Sequence, residues 1–156
     1  MSSDQSLYTG RGNPLTVVVS GLSSDAHTWN LVYLQLLLEE LGCLVTNLGG
    51  CTPDDTIVAE CLARPPDLVV VSSLNGHGAQ DGVRLIGALR SRPELAATPV
   101  VIGGKLDVTG GEAGTAERLL AAGFDAVFQE SGSGMIAFRS FVHSLAAGTG
   151  APMVAT

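Results

Sequence analysis

The sequence predicts an α/β domain of the flavodoxin-like (Rossmann-like) class, a doubly wound five-stranded parallel sheet, on three observations. Five short runs rich in Val and Leu alternate with five segments of helical periodicity. These runs are apolar at nearly every position, which is typical of parallel strands covered by helices on both faces. The length of 156 residues and a hydrophobic content of 46% suit one domain with a sizeable core. For five such strands we expect the order 2-1-3-4-5 with right-handed crossovers.

The elements follow one another along the chain with short connections. The expected strands are 15–20, 43–47, 67–72, 99–102 and 125–128. The expected helices are 27–41, a segment that opens at Thr52, 80–90, 112–122 and 135–146. Thr52 is expected to cap the second helix, with Pro53 in its first turn. We expect residues 1–13 to form a flexible arm, 14–146 the folded domain and 147–156 a flexible tail.

Charge and composition exclude several classes of partner. The chain carries 8 Lys and Arg against 15 Asp and Glu, a net charge of -7, so no basic stripe is available for nucleic acid or an anionic membrane. No apolar run approaches the roughly 20 residues of a membrane helix, and the amino terminus lacks the apolar stretch of a signal peptide. A cytoplasmic location is expected. The three cysteines form no C-x-x-C pair and are expected as reduced thiols, two of them in the core.

Glycine-rich loops follow all five expected strands. In an open parallel sheet, ligands bind beyond the carboxyl ends of the strands, where these loops gather. Glycine lets backbone approach a ligand closely because nothing projects from its α-carbon. Glycines in a single loop only indicate a turn, whereas five adjacent loops thinned in this way favour a broad ligand or a long tail.

The sharpest local signal is the pair Asp25-x-His27 after the first strand. A neutral imidazole is the commonest metal ligand in proteins, and a carboxylate often fixes its second nitrogen. No Cys or second His stands close enough in sequence to build a zinc site. One imidazole suffices as the axial ligand of a metal held by a macrocycle. The pair therefore fits two interpretations, a surface histidine or such an axial ligand.

Three motifs in order resemble the cobalamin-binding signature D-x-H-x-x-G … S-x-L … G-G. They are Asp25-Ala26-His27, Ser72-Ser73-Leu74 and Gly103-Gly104, each placed after a buried strand. The pattern V-x-S-x-L-x-G-x-G around the third strand and the spacings most resemble the small subunit of glutamate mutase (methylaspartate mutase). The resemblance covers about residues 15–143.

The resemblance implies a cobalamin whose dimethylbenzimidazole tail is displaced from cobalt by His27, with Asp25 on the other ring nitrogen. The tail would lie in a slot beside the first and third strands, with Ser72 bonded to the benzimidazole and Leu74 on the corrin side. Gly103 and Gly104 would let it pass close to the backbone, and residues 128–132 would complete the slot. The residues implied at the cofactor, with His27 as the metal ligand, are Ser24, Asp25, Ala26, His27, Thr28, Asn30, Ser72, Leu74, Gly76, Gly103, Gly104, Lys105, Phe128, Ser131 and Gly132.

The resemblance further implies an isomerase that uses adenosylcobalamin, with a radical rearrangement of glutamate to 3-methylaspartate. The chain would be the cofactor-binding subunit, inactive without a larger catalytic partner that is expected to be a (β/α)₈ barrel. The surplus of Leu around the first helix fits either a core or a partner contact.

The chain departs from the family pattern at three places. Asn30 replaces the Gly of D-x-H-x-x-G, and its side chain is expected to crowd the tail or the loop. Lys105 stands where relatives tend to be uncharged, so it meets either a polar group of the cofactor or solvent. Residues 129–132 are more polar than the Gly-Thr of the family, which leaves the alignment of that loop open.

Three other functions are compatible with the same fold. A corrinoid carrier for methyl transfer remains the alternative, although such domains usually carry a helical bundle before the first strand. A receiver domain of a signalling protein requires an Asp at the end of the third strand and a Lys at the end of the fifth. This chain has Ser72 and places Lys105 after the fourth strand, so a receiver domain is rejected. A flavodoxin needs a phosphate loop richer in Ser and Thr than Ser23-Ser24.

Overall fold

The alternating strands and helices fold into a central sheet with helices packed on both of its faces. The computed structural model of the chain describes residues 14–74, 77–105, 114–129, 133–148 and 153–155. The strands are β1 (Thr16–Gly21), β2 (Leu44–Asn47), β3 (Leu68–Ser73), β4 (Val100–Gly104), β5 (Ala126–Gln129) and β6 (Met153–Ala155). The helices are α1 (Trp29–Glu40), α2 (Asp54–Ala63), α3 (Gly78–Arg90), α4 (Thr115–Ala122) and α5 (Gly134–Ala146), with a 3₁₀ turn at Pro93–Leu95.

All strand pairings in the sheet are parallel, in the order β2-β1-β3-β4-β5-β6. The predicted order 2-1-3-4-5 is confirmed for the first five strands. The structure adds β6, which pairs with β5 along Met153–Ala155. That segment lies within the predicted tail, 147–156, whose flexibility stays a prediction together with that of the 1–13 arm. Among the described residues, no helix combines the length and apolar character needed to cross a bilayer.

The starts of α1 and α2 differ from the predicted ones in ways that bear on the site. The first helix begins at Trp29 rather than at residue 27, and the carbonyl of Thr28 accepts the N–H groups of Leu31 and Val32. His27 therefore belongs to the loop. The predicted cap on α2 is wrong, because the hydroxyl of Thr52 donates to the carbonyls of Leu48 and Gly49 instead. Ser and Thr hydroxyls can bond to several nearby backbone groups, and here the hydroxyl of Thr52 bonds to the loop after β2 rather than to the helix.

The sheet separates two apolar cores, because alternate residues of each buried strand face opposite sides. We call the side covered by α1 and α5 the open face, and the side covered by α2, α3 and α4 the closed face. On β1, Val17 and Val19 point to the open face, whereas Val18 points to the closed face. The prediction for the cysteines is confirmed, since Cys43 is buried in the open-face core, Cys61 in the closed-face core, and Cys51 is exposed.

Candidate functional site

The register of the sheet gathers the three predicted motifs at its carboxyl edge. Ser72 of β3 stands beside Gly21 of β1 on one side and Gly103 of β4 on the other. Gly103 in turn stands beside Phe128 of β5. These four residues form one row across the sheet, although more than a hundred positions of sequence separate the first from the last. The loop that carries Asp25 and His27 leaves β1 directly beside this row.

Asp25 and His27 form a closely coupled pair. The backbone N–H of His27 donates to Oδ1 of Asp25 at 3.0 Å, and the imidazole Nδ1 lies 2.6 Å from the same oxygen. The other carboxylate oxygen accepts the backbone N–H of Leu74. Asp25 is 2% exposed, whereas the side chain of His27 is 54% exposed. Because a carboxylate only accepts hydrogen bonds, Nδ1 carries the proton, and the lone pair of Nε2 remains for a ligand.

The charge of Asp25 is retained despite its burial. Burial alone acts to raise the pKa of Asp25. The backbone N–H groups of His27 and Leu74, with the side chains of His27 and Ser73, outweigh this effect and hold the pKa below its ordinary value. An anionic acceptor on Nδ1 fixes the tautomer and the orientation of the ring.

The loop after β2 packs against the backbone of the Asp25–His27 pair. The carbonyl of Asp25 accepts the backbone N–H of Cys51 at 2.7 Å. A Cβ added at Gly50 would lie 3.0 Å from the carbonyl oxygen of Asp25 and 3.2 Å from that of His27. The two loops therefore pack backbone on backbone, and a side chain at position 50 would push the Asp25–His27 loop outward. Cys51 itself has a positive φ of 51°, an uncommon value for a residue other than Gly.

A cavity of about 220 Å³ opens beside the loop, on the open face between α1 and α5. It is smaller than the roughly 300–1,000 Å³ of pockets for drug-sized ligands, so it suits one ring system rather than a whole macrocycle. Its floor is formed by β3, β4 and β5, and among the described residues none of β1 lines it. The lining residues are Asn30, Tyr33, Leu34, Val70, Val71, Ser72, Leu74, Val101, Ile102, Gly103, Gly104, Phe128, Gly134, Met135 and Phe138.

Two polar side chains meet at the wall of this cavity. Nδ2 of Asn30 donates to Oγ of Ser72 at 2.6 Å. The Oδ1 atom of Asn30 is buried and has no hydrogen-bond partner among the described residues. A buried acceptor without a partner costs about 1–3 kcal/mol, so this wall is incomplete without a ligand or water. Asn30, the departure from the family pattern, thus becomes part of the cavity wall.

The Gly-Gly pair at the end of β4 is required by its neighbours. A Cβ at Gly103 would lie 2.9 Å from the carbonyl oxygen of Phe128. Gly104 has φ of 106°, and a Cβ there would lie 2.1 Å from the carbonyl oxygen of Ser73. Both positions therefore exclude a side chain for steric reasons in the protein itself, and both leave the cavity floor bare.

Ser24 is turned away from the cavity. Its hydroxyl donates to Oδ2 of Asp81, a buried residue in the first turn of α3. Arg84, one turn further, donates to Asp81 at 3.2 Å, to Asp54 at 2.6 Å and to the hydroxyl of Ser23 at 2.7 Å. The hydrogen bond to Asp54 is the main cause that raises the pKa of Arg84. This network ties the start of the Asp25–His27 loop to α2 and α3.

Apart from Ser24, the predicted site residues fall into three groups. The Asp25–His27 pair and the cavity-lining Asn30, Ser72, Leu74, Gly103, Gly104 and Phe128 lie together. Ala26 and Thr28 are exposed on the loop, and Lys105 is exposed and does not line the cavity. Gly76, Ser131 and Gly132 lie outside the described residues.

Sequence reasoning missed the helical walls. Tyr33 and Leu34 of α1 and Met135 and Phe138 of α5 line the cavity, as does Gly134 at the start of α5. The spacing of Asn30 to Leu34 and of Met135 to Phe138 places each set on one side of its helix. That signal was present, but it indicates only a buried face, because a cavity between two helices leaves no mark of its own in the sequence.

The fold and the candidate site at the carboxyl ends of the strands are those of a doubly wound α/β domain of the ligand-binding type. The chain belongs to the B12-binding domain family, whose model matches residues 15–139.

This chain is similar to known proteins in sequence and in fold. The glutamate mutase sigma subunit of Halobacterium salinarum is 37% identical over 114 residues, which are 72% of this chain and 75% of the relative. A crystal structure of a cobalamin-binding protein from Desulfitobacterium hafniense superimposes with a TM-score of 0.65 at 19% identity, over 83% of this chain and 59% of that one. A signal receiver domain from Syntrophus aciditrophicus superimposes with a TM-score of 0.63 at 20% identity, over 86% and 91%. The likeness of both structures is one of fold alone.

The described residues fit a corrinoid. Asp25 holds Nδ1 of His27 and leaves Nε2 unshared, and the apolar cavity lined by the neighbouring Leu74 has room for one flat ring system. The orphaned acceptor of Asn30 and the bare backbone of Gly103 and Gly104 mark the wall and floor that a ligand would complete. Within the described part of the chain, no group of three or more His, Cys, Asp or Glu side chains is arranged to hold a metal ion.

Proposed function

We propose that this protein is the cobalamin-binding subunit of a carbon-skeleton mutase that uses adenosylcobalamin, of the kind that rearranges glutamate to 3-methylaspartate. The observation that carries the proposal is the Asp25–His27 pair, which leaves Nε2 unshared on a loop that Asp25 joins to the cavity-lining Leu74. The relative named as a glutamate mutase sigma subunit supports this reaction over the methyl transfer of a corrinoid carrier.

The residues of the chain divide the work of holding the cofactor. His27 would ligate the metal through Nε2, and Asp25 would keep the proton on Nδ1 and orient the ring. The cavity between α1 and α5 would bury the displaced lower base away from water. When bound, adenosylcobalamin supplies the radical chemistry of the rearrangement. No described side chain other than His27 is assigned to the metal.

A catalytic partner is part of the proposal. An apolar stripe of Trp29, Val32, Tyr33 and Leu36 runs along the outside of α1 with the spacing of one helix face, and Trp29 is 83% exposed. The stripe begins two residues after His27, at the rim where a bound corrinoid would stand. Exposed apolar patches of this kind favour a protein contact. We expect the larger subunit, proposed to be a (β/α)₈ barrel, to contact this stripe as it covers the cofactor.

The stripe can be tested against a distant apolar residue. Leu36→Ser should weaken assembly with the glutamate mutase catalytic subunit about tenfold in sedimentation velocity in the presence of cobalamin, with little change in the free energy of unfolding. Leu44→Ser is the matched control, since Leu44 is equally exposed (59% against 60%) but lies at the start of β2. Equal effects of the two substitutions would contradict a contact at α1.

The axial ligand is tested by electron paramagnetic resonance of the protein loaded with cob(II)alamin. Uniformly ¹⁵N-labelled protein with unlabelled cofactor should convert the nitrogen triplet on cobalt into a doublet, because the ligating nitrogen then comes from the protein. His27→Ala should abolish the doublet, and His143→Ala, which removes an exposed histidine of α5, should leave it unchanged. A triplet in the labelled protein would mean that the lower base still ligates cobalt and would refute the assignment of His27.

A further inference from the structure

We propose that Asp81 and Arg84 of α3 are positioning residues that hold His27 ready to ligate the metal. They bind the Ser23–Ser24 turn from the closed face, and this turn keeps the ligand in place before a cofactor binds. The inference rests on the proposed function, because it takes His27 as the ligand. Neither Asp81 nor Arg84 lines the cavity, and neither belongs to the three sequence motifs.

The chemistry of the groups fixes the direction of each hydrogen bond. An ionised carboxylate only accepts and a guanidinium only donates. The hydroxyl of Ser24 therefore donates to Oδ2 of Asp81. Nη2 of Arg84 donates to Oγ of Ser23 at 2.7 Å, and Nη1 donates to Oδ1 of Asp81 at 3.2 Å. Two consecutive serines are thus bound in opposite senses by two residues that lie one helical turn apart.

Both residues are attached to the closed-face core. Asp81 is buried in the first turn of α3. Leu85 and Ile86 follow Arg84 and are fully buried in this core. Nε of Arg84 also donates to Oδ2 of Asp54 at 2.6 Å, which joins it to the first turn of α2. The turn after β1 is therefore attached to two helices of the closed face.

The turn leads directly into the ligand pair. The backbone N–H of Asp25 donates to the carbonyl of Leu22 at 3.0 Å, which closes the turn around the two serines. The carboxylate of Asp25 holds the imidazole of His27, which is otherwise exposed. A shift of the turn therefore moves Asp25 and, with it, the ring. A site that is in place in only a fraction of the free molecules binds with an affinity reduced by that fraction.

A second arginine provides a comparison with an ordinary surface ion pair. Arg64 is exposed and donates to Glu60 at 2.7 Å, four positions away within α2. Such a pair contributes little to stability. Arg84 is half exposed as well, but its acceptors Asp54 and Ser23 are 30 and 61 positions away in the sequence. The hydrogen bonds of Arg84 therefore join separate parts of the fold, one of which carries the ligand.

The experiment measures the dissociation constant for hydroxocobalamin by absorption titration of the full chain. Ser24→Ala removes the bond to Asp81, and Arg84→Met removes the nitrogen donors of the side chain. We expect each to raise the constant about fivefold, which corresponds to the loss of about one hydrogen bond, with the ¹⁵N doublet of bound cob(II)alamin intact. Arg64→Met is the matched control and should leave the constant unchanged. The thermal unfolding midpoint shows that each variant is folded at the temperature of the titration.

Amide hydrogen exchange in the free protein reports the position of the loop itself. The backbone N–H groups of Leu74 and Cys51 donate to Asp25, so these bonds protect them while the loop is in place. A loss of affinity of about fivefold corresponds to a loop that is in place in about one fifth of the free molecules. Both amides should therefore lose most of their protection in Ser24→Ala and Arg84→Met, and keep it in the control.

The outcomes separate this inference from the proposed function. If either variant binds within about twofold of the unsubstituted protein, or if the control weakens binding equally, the inference is overturned and the proposed function stands. If binding weakens while the exchange of Leu74 and Cys51 is unchanged, the substituted residues contact the cofactor rather than position the ligand, and the inference is likewise overturned. If the unsubstituted protein binds no cobalamin, or shows no doublet, the proposed function fails and takes the inference with it.

Discussion

On the closed face of the sheet, α3 packs against both α2 and α4, whereas on the open face the cavity separates α1 from α5. Packing on the closed face is tight enough that a Cβ at Gly82 would lie 2.8 Å from a methyl group of Ile102. The open face has the cavity instead, and α1 exposes an apolar stripe to solvent. The same alternation of strand and helix thus stabilises the fold on one face and leaves binding volume on the other.

Two neighbouring residues of β4 are expected to show this difference between the faces with the largest effect on stability. Val100 and Val101 are both 1% exposed, but Val100 points into the closed-face core and Val101 lines the cavity. Val100→Phe should lower the free energy of unfolding by about 3 kcal/mol, because close-packed surroundings cannot accept the larger ring. Val101→Phe should cost less than about 1 kcal/mol, because the ring enters empty volume. Urea unfolding measures both.

Cobalamin affinity should respond in the opposite sense. The ring of Val101→Phe occupies the space proposed for the lower base, so the dissociation constant for hydroxocobalamin should rise at least tenfold. The folded fraction of Val100→Phe should bind as the unsubstituted protein does. Similar losses of stability in the two variants would show that the cavity is not available volume and would remove the contrast between the faces.

The sequence allowed prediction of the closed face more fully than of the open face. Buried strands and helices with one apolar side follow from periodicity, and Val18 or Ile57 are identified as core residues by pattern alone. The apolar residues of α1 surround the helix, so periodicity does not tell Leu31, which is fully buried, from Leu36, which is exposed. Which of them faces the core depends on how α1 packs on β1 and β2, and that is a tertiary property.

The site was predictable where its contacts are local. The Asp25–His27 hydrogen bond spans two residues, so its geometry follows from the spacing. The bond from Asn30 to Ser72 spans 42 residues, and that from Ser24 to Asp81 spans 57. Their partners become neighbours only through the parallel register of the sheet and the docking of α3. Sequence reasoning therefore placed Ser24 and Asn30 at the site but did not identify their partners.

A smaller effect on the free energy of unfolding is expected from pH, through the buried Asp25 in the loop after β1. The pKa of Asp25 in the folded protein lies below the ordinary value of 3.8. A carboxyl group with a depressed folded pKa stabilises the protein above its unfolded pKa, and this stabilisation is lost as the pH falls through the folded pKa. Unfolding free energies of the unsubstituted protein and Asp25→Asn should therefore differ by a constant amount above about pH 5 and converge as the pH falls below about 4.

The magnitude and its control follow from the contacts. Asp25→Asn places an amide opposite the N–H groups that donate to Asp25, so we expect the free energy of unfolding to fall by about 1–3 kcal/mol at neutral pH. Asp55→Asn, at an exposed carboxylate of α2, should change stability by less than about 0.5 kcal/mol. Urea unfolding between pH 3 and pH 8 provides the measurement. A difference between the unsubstituted protein and Asp25→Asn that grows toward acidic pH would contradict the depressed pKa.

The smallest expected effect compares the two faces through their cysteines. Burial raises the pKa of Cys43 and of Cys61 to about 11, and negative charges nearby add to the shift, so neither forms appreciable thiolate at pH 8. Cys51 is exposed and should react first with a disulfide reagent. The other two react only through opening of their faces. Because the cavity already interrupts the packing of the open face, Cys43 should be labelled severalfold faster than Cys61. Labelling kinetics resolved by mass spectrometry measure both rates. A rate for Cys61 equal to or above that for Cys43 would mean that the closed face opens as readily as the open face.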